Sequence, residues 1–109
     1  MKKVAILFGN DKYDFSNAQL QCAVNDAEAL QEKLDALSFE TKSILNSDMK
    51  TMAMEIANFE TTLPSYDVGL FFFAGHGFQF DGLNYLAATD TSFADDRSAA
   101  YTSFRLDDI

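Results

Sequence analysis

The sequence predicts an α/β domain with a mainly parallel sheet flanked by helices. Three observations carry that prediction. Short apolar runs alternate with segments of helical period along the chain. Two of the runs, Lys3 to Phe8 and Asp67 to Ala74, are apolar at most positions, as strands covered on both faces are. Both are closed abruptly by glycine, at Gly9-Asn10 and at Gly75-His76-Gly77.

Lys3 to Phe8 is the first strand, and the polar stretch from Asn10 to Gln19 is a loop without period. Val24 to Leu37 is a helix, because Ala27, Leu30, Leu34 and Leu37 make one apolar stripe. Asn25 and Asp26 stand at its start, where side-chain oxygens cap free amides. Phe39 to Leu45 alternates as a second strand. Asn46-Ser47-Asp48 then gives a turn and a cap for a helix over Met49 to Leu63, with Met52, Ile56 and Phe59 on one face and Pro64 as its stop. Asp67 to Ala74 is the third strand. Asp81-Gly82 between apolar residues of Phe78 to Ala88 signals a hairpin. Thr89 to Thr102 reads as a loop, and Ser103 as the cap of a last helix with Asp107 and Asp108 in its first turn.

Right-handed crossovers place the first strand between the second and third. The third is then an edge strand made largely of phenylalanine, an aggregation hazard unless something covers it. Self-association through that edge is expected, as is a further segment, on this chain or another, to cover it.

The 109 residues are enough for one domain and no more. A net charge of −9 disfavours nucleic acid and anionic membrane surfaces as partners. Cys22 is the lone cysteine, so no internal disulfide forms, which fits a reducing compartment. The apolar run after Lys2-Lys3 stops too early for a signal sequence, and no stretch reaches membrane-spanning length. The cytoplasm is the expected location. The first strand is not followed by the glycines of a dinucleotide or phosphate loop.

In open α/β sheets, ligands bind beyond the carboxyl ends of the strands. Gly75-His76-Gly77 lies at such an end. His76, the lone histidine, is a general acid/base candidate there, and the Gly77 amide a donor to a developing oxyanion. The plainer reading is a histidine that only hydrogen-bonds the strand end.

Phe71-Phe72-Phe73-Ala74-Gly75-His76-Gly77 resembles the histidine motif of the caspase and metacaspase superfamily of cysteine peptidases. Val4 to Phe8 resembles the family's first strand, and Leu20-Gln21-Cys22-Ala23-Val24-Asn25-Asp26-Ala27 the start of its first helix. Asn84-Tyr85-Leu86 followed by Asp90 is similar to the hairpin and loop after the histidine. The resemblance spans almost the whole chain, in order. It implies a three-layer caspase-like fold, incomplete at the C-terminus, with residues 1–109 as the N-terminal part of one peptidase domain. It implies a cysteine–histidine dyad with His76 as acid/base, Gly77 as oxyanion donor and peptide or protein as substrate. The family's cysteine ends the next parallel strand in an Asp-x-Cys motif, and nothing after His76 is a cysteine. The nucleophile is therefore expected outside this chain, the isolated chain is expected to be inactive, and Cys22 is expected to be a small buried residue.

In metacaspase-like members the aspartate matching Asp26 faces the primary specificity pocket. The resemblance thus implies cleavage after Arg or Lys, of the metacaspase or bacterial caspase-like type. Some metacaspases bind calcium through aspartates placed like Asp90, Asp107 and Asp108, which makes these weak calcium candidates in a chain otherwise expected to need no cofactor. The alternative from another class is a non-catalytic caspase-like interaction or regulatory module.

Overall fold

The computed structural model describes residues 1–109. The main sheet is parallel, in the order β2-β1-β3, with β1 spanning Lys3–Gly9, β2 Glu40–Leu45 and β3 Val68–Ala74. The first strand lies between the other two, as right-handed crossovers require.

Alternation along β1 divides the core into two layers. Ala5 and Leu7 point to α1 (Ala23–Ala36), where they meet Ala27 and Leu34. Ile6 and Phe8 point the other way, to Met52 and Ile56 of α2 (Met49–Thr62) and to Ala88. The phenylalanines of β3 follow suit: Phe72 packs on the α1 side, Phe71 and Phe73 on the α2 side. Successive side chains of a strand point to opposite faces, so an unbroken apolar run is what a sheet with helices on both sides needs. At the end of the expected α1 stripe, Leu37 is exposed instead of buried. It is the C-cap of the helix, and Lys3 Nζ donates to its carbonyl at 2.5 Å.

The hairpin is built as expected. β4 (Gly77–Phe80) and β5 (Leu83–Ala87) are joined by Asp81 and Gly82, both at positive φ, the two-residue turn that suits strand twist. Beyond it the chain departs from the sequence reading. Residues 96–101, read as loop, form the short helix α3 (Asp96–Tyr101). Asp95 is its cap, accepting from the Ser98 amide at 2.8 Å. The expected final helix is absent. Ser103 opens a strand, β6 (Ser103–Arg105), which pairs antiparallel with β5, and a 3₁₀ turn over Leu106–Asp108 follows. The Ser103 hydroxyl is buried against Thr91 Oγ1 at 3.0 Å rather than offered to a helix. Leu86 and Phe104 of this second sheet pack onto the α2 side of the core.

The two long helices, α1 and α2, find their caps differently. For α2, Asp48 accepts from the Thr51 amide at 2.8 Å, the local cap the sequence predicts. For α1, neither Asn25 nor Asp26 caps. Asp11, in the loop after β1, reaches across to accept from Ala23 N at 2.7 Å and Val24 N at 3.1 Å. This cross-link sets the start of α1 beside the end of β1. Gly9 makes the fit possible: a Cβ there would stand 2.8 Å from the Ala23 carbonyl oxygen.

The amide bonds to Asp48 and Asp95 hold both carboxyls below the usual aspartate range. Groups with depressed folded-state pKa values stabilise the fold above the unfolded value, about pH 3.9, and lose that contribution as pH falls through the folded value. The melting temperature is therefore expected to drop on acidification below about pH 4. Asp48→Asn/Asp95→Asn keeps a capping oxygen but no titration, so it should flatten part of that acid limb. A double variant with the same slope as wild type between roughly pH 2.5 and 4 would show that these caps are not its source.

Candidate active site

The carboxyl ends of β1 and β3 lie side by side, with Gly9 opposite Ala74 in the parallel register and the Asn10 amide donating to the Ala74 carbonyl at 2.9 Å. Beyond them the chain enters Gly75-His76-Gly77. The start of α1, drawn in by Asp11, faces the same end. Between the two runs a groove of about 400 Å³ lined by Leu20, Gln21, Cys22, Asp26, Phe73 and Gly75, among others. Two segments more than forty residues apart in sequence are thus brought together, and the expected selector Asp26 faces the same groove as the glycine before the expected acid/base.

His76 is half-buried, and its Nε2 lies 2.7 Å from the Ala18 carbonyl oxygen. A carbonyl only accepts, so Nε2 is the donor in this contact and Nδ1 is the nitrogen left out of it. The imidazole packs against two aromatic rings, Tyr13 at 4.9 Å and Phe93 at 5.8 Å between centroids, which also meet each other at 6.0 Å. The His76 amide donates to the Tyr13 hydroxyl at 2.8 Å. Tyr13 is buried, and burial pushes its phenol above the usual tyrosine range, against the opposing pull of the His76 amide.

Gly77 occupies a telling place in the hairpin ladder. The Ala87 amide donates to the His76 carbonyl at 2.9 Å, and Gly77 stands opposite Leu86. In an antiparallel pair, bonded and non-bonded positions alternate. Gly77 falls on a non-bonded position, so its N–H points away from β5, and β4 is the edge of its sheet. The amide after the histidine is thus turned outward. The two flanking glycines differ in kind. A Cβ on Gly75 would stand 2.6 Å from the Tyr13 hydroxyl, whereas one on Gly77 would meet only the Tyr85 carbonyl at 3.6 Å.

Other residues singled out from the sequence fall elsewhere. Cys22 is exposed at the N-cap of α1, not buried; the next residue, Ala23, is the one the helix turns into the core. Asp90, Asp107 and Asp108 do not converge. Asp90 accepts from the Met49 amide at 2.9 Å at the head of α2, and Asp108 pairs with Arg105 at 2.9 Å. No three His, Cys, Asp or Glu side chains gather in a metal-binding group. A second groove, about 260 Å³ between α2 and the β1–β2 face, contains none of the sequence candidates. No helix is long and apolar enough to cross a membrane.

Sequence reasoning missed Tyr13, Ala18 and Phe93. Ala18 acts through its carbonyl, which every residue has, so no residue-type signal exists. Tyr13 and Phe93 were visible as aromatics in mostly polar stretches, but so were Phe15 and Tyr101, which are exposed, so residue type alone does not single them out.

No curated protein matches the chain. The family model of the caspase domain, Peptidase C14, matches residues 2–109, nearly the full length and the whole of both runs that form the groove. With the parallel sheet in the order β2-β1-β3, helices on both faces, and a histidine beyond the carboxyl end of β3, the match places this chain in the caspase-domain family of cysteine peptidases.

Proposed function

We propose that the chain supplies the acid/base and the substrate-selecting half of a cysteine endopeptidase that cuts after arginine or lysine, of the metacaspase or bacterial caspase-like type. One observation carries the reading: the Ala18 carbonyl engages His76 Nε2, leaving Nδ1 as the proton-exchanging atom. In this scheme a thiolate from outside residues 1–109 adds to the scissile carbonyl carbon. The oxygen gains negative charge and accepts from the outward Gly77 N–H. The C–N bond then breaks as the proton on Nδ1 passes to the leaving amine. Water, giving its proton to the same nitrogen, hydrolyses the thioester and frees the thiolate.

The open side of β3 supports the place of the thiol. β3 pairs with β1 alone, so a parallel strand added there would end beside Gly75 and His76. Asp26 supports basic specificity. It lines the groove, neither ion pair of the chain involves it, and its capping duty has passed to Asp11. A carboxylate in that position forms charge-assisted bonds with a guanidinium or ammonium group.

The test is a polypeptide joining this chain to a caspase-domain segment that carries the cysteine, assayed on fluorogenic peptides ending in Arg, Lys or Asp. Cleavage after Arg and Lys is expected. Asp26→Asn should lower kcat/KM for these peptides by roughly 10- to 100-fold, the worth of one charge-assisted bond. Preference for Asp, or an Asp26→Asn enzyme with undiminished Arg cleavage, would remove the selector role. The 109-residue chain alone should show no turnover; turnover abolished by Cys22→Ala would move the nucleophile to Cys22.

A further inference from the structure

We infer that Tyr13 is the positioning residue for His76: its hydroxyl takes the His76 backbone N–H while its ring flanks the imidazole, and together they aim the ring at the Ala18 carbonyl. Tyr13 is only 2% exposed and touches the Gly75-His76-Gly77 turn at three points. Its oxygen accepts from the His76 amide at 2.8 Å, its ring centroid lies 4.9 Å from that of His76, and its hydroxyl fills the space a Gly75 side chain would need.

The hydroxyl does something that packing alone would not. His76 and Ala87 face each other one step beyond the hairpin register, where two residues normally exchange both hydrogen bonds. Here only one of the two runs between them, Ala87 N to His76 O. The His76 amide goes to Tyr13 instead. The Ala87 carbonyl, freed from that duty, accepts from Asn10 Nδ2 at 3.2 Å, and the Tyr13 hydroxyl lies 3.5 Å from it. The phenol thus lifts the His76 main chain out of the ladder toward the Asp11–Leu20 loop, which also supplies Ala18. That loop is tied down around it: the Leu20 amide donates to the Asp11 carbonyl at 2.9 Å, the Asp14 amide to the Thr89 carbonyl at 2.8 Å, and Gln19 Nε2 to the Tyr13 carbonyl. One loop therefore holds both the main chain and the ring of His76.

The catalytic consequence rests on the acid/base reading of His76. The measurement reads the imidazole directly in the 109-residue chain, so the two fail separately. Because His76 is the lone histidine, long-range 1H–15N spectra show one imidazole. At about pH 8.5, where a histidine is neutral, the wild type should be dominated by the Nε2–H tautomer. Tyr13→Phe keeps the ring and removes the acceptor. It should give a mixed tautomer population and speed His76 amide exchange by about tenfold or more, the worth of roughly one hydrogen bond. Tyr85→Phe, a change elsewhere on the hairpin, should leave both unchanged. Gly75→Ala sets a Cβ 2.6 Å from the hydroxyl, and also 2.9 Å from the Phe73 ring at a φ of +157°, and should move the tautomer in the same direction. A Tyr13→Phe chain with wild-type tautomer and amide exchange within about twofold of wild type would overturn the inference. Should Tyr13→Phe not fold, an unchanged tautomer in Gly75→Ala would overturn it.

Discussion

Asn10→Leu is expected to bring the chain close to unfolding, with the melting temperature falling by roughly 15 °C or more. Asn10 follows β1 directly and is fully buried. Its Oδ1 accepts from the Ser47 amide at 2.9 Å and the Ser47 hydroxyl at 3.2 Å, and its Nδ2 donates to the Ala87 carbonyl. Ser47 itself is buried, and its carbonyl accepts from the Thr89 amide at 2.9 Å. One side chain therefore joins the carboxyl ends of β1, β2 and β5. Leucine has similar volume but no polar atoms. It would leave the Ser47 amide and hydroxyl without their acceptor and the Ala87 carbonyl with only a long contact to Tyr13. A buried polar group stripped of its partner costs about 1–3 kcal/mol, so three cost roughly 3–9 kcal/mol. Small domains have only about 5–15 kcal/mol in total. Thermal unfolding followed by circular dichroism reads the loss directly. A shift of less than about 4 °C, the effect of under 1 kcal/mol in a chain of this size, would show that this junction is not what holds the strand ends together.

That junction also explains where sequence reading reaches its limit. The parallel strands and the hairpin were legible because each leaves a local pattern. An unbroken apolar run means two covered faces, and Asp81-Gly82 means two residues at positive φ. Residues 89–105 leave no such pattern. A six-residue helix is too short to show a period, and the three residues of β6 are a strand only because β5 lies beside them. Ser103 looks like a cap by type, yet its hydroxyl answers to Thr91, twelve residues away. The same logic moved the cap of α1. Local rules point to Asn25 and Asp26, but the oxygen that meets the free amides belongs to Asp11, brought there by the close approach of Gly9 to Ala23. Displaced from capping, Asp26 is left facing the groove.

At the site, the divide runs between side chains and backbone. His76 was legible as the lone histidine between glycines at a strand end. Asp26 was legible only through the resemblance of the Asn25-Asp26-Ala27 run. The group that fixes the histidine ring is the carbonyl of an alanine, and the group that fixes its main chain is a tyrosine sixty-three residues earlier. Neither has a signature that composition or periodicity displays, because both roles exist only once β1 and β3 lie side by side.

In the polypeptide that also carries the caspase-domain cysteine, His76→Ala is expected to lower kcat/KM by about 10²- to 10⁴-fold, the usual worth of a placed general acid/base. Without Nδ1 the leaving amine must depart as a poorer leaving group, and residues 1–109 hold no second imidazole to take over. The Ala18 carbonyl would lose its partner at a buried position, so the melting temperature should fall as well, by roughly 5 °C or more, and the activities are compared at a temperature where both proteins are folded. Gly77→Ala is the matching control. It keeps the outward N–H, and its Cβ would meet nothing nearer than the Tyr85 carbonyl at 3.6 Å. Activity within about threefold of wild type is expected, since a donor that stays in place keeps its effect on the oxyanion. The two variants together separate chemistry from shape. An His76→Ala enzyme that keeps a tenth or more of its activity would remove His76 from the proton-transfer step. A Gly77→Ala enzyme that folds normally yet loses as much as His76→Ala would mean that the turn after the histidine needs glycine for its path and not for its amide.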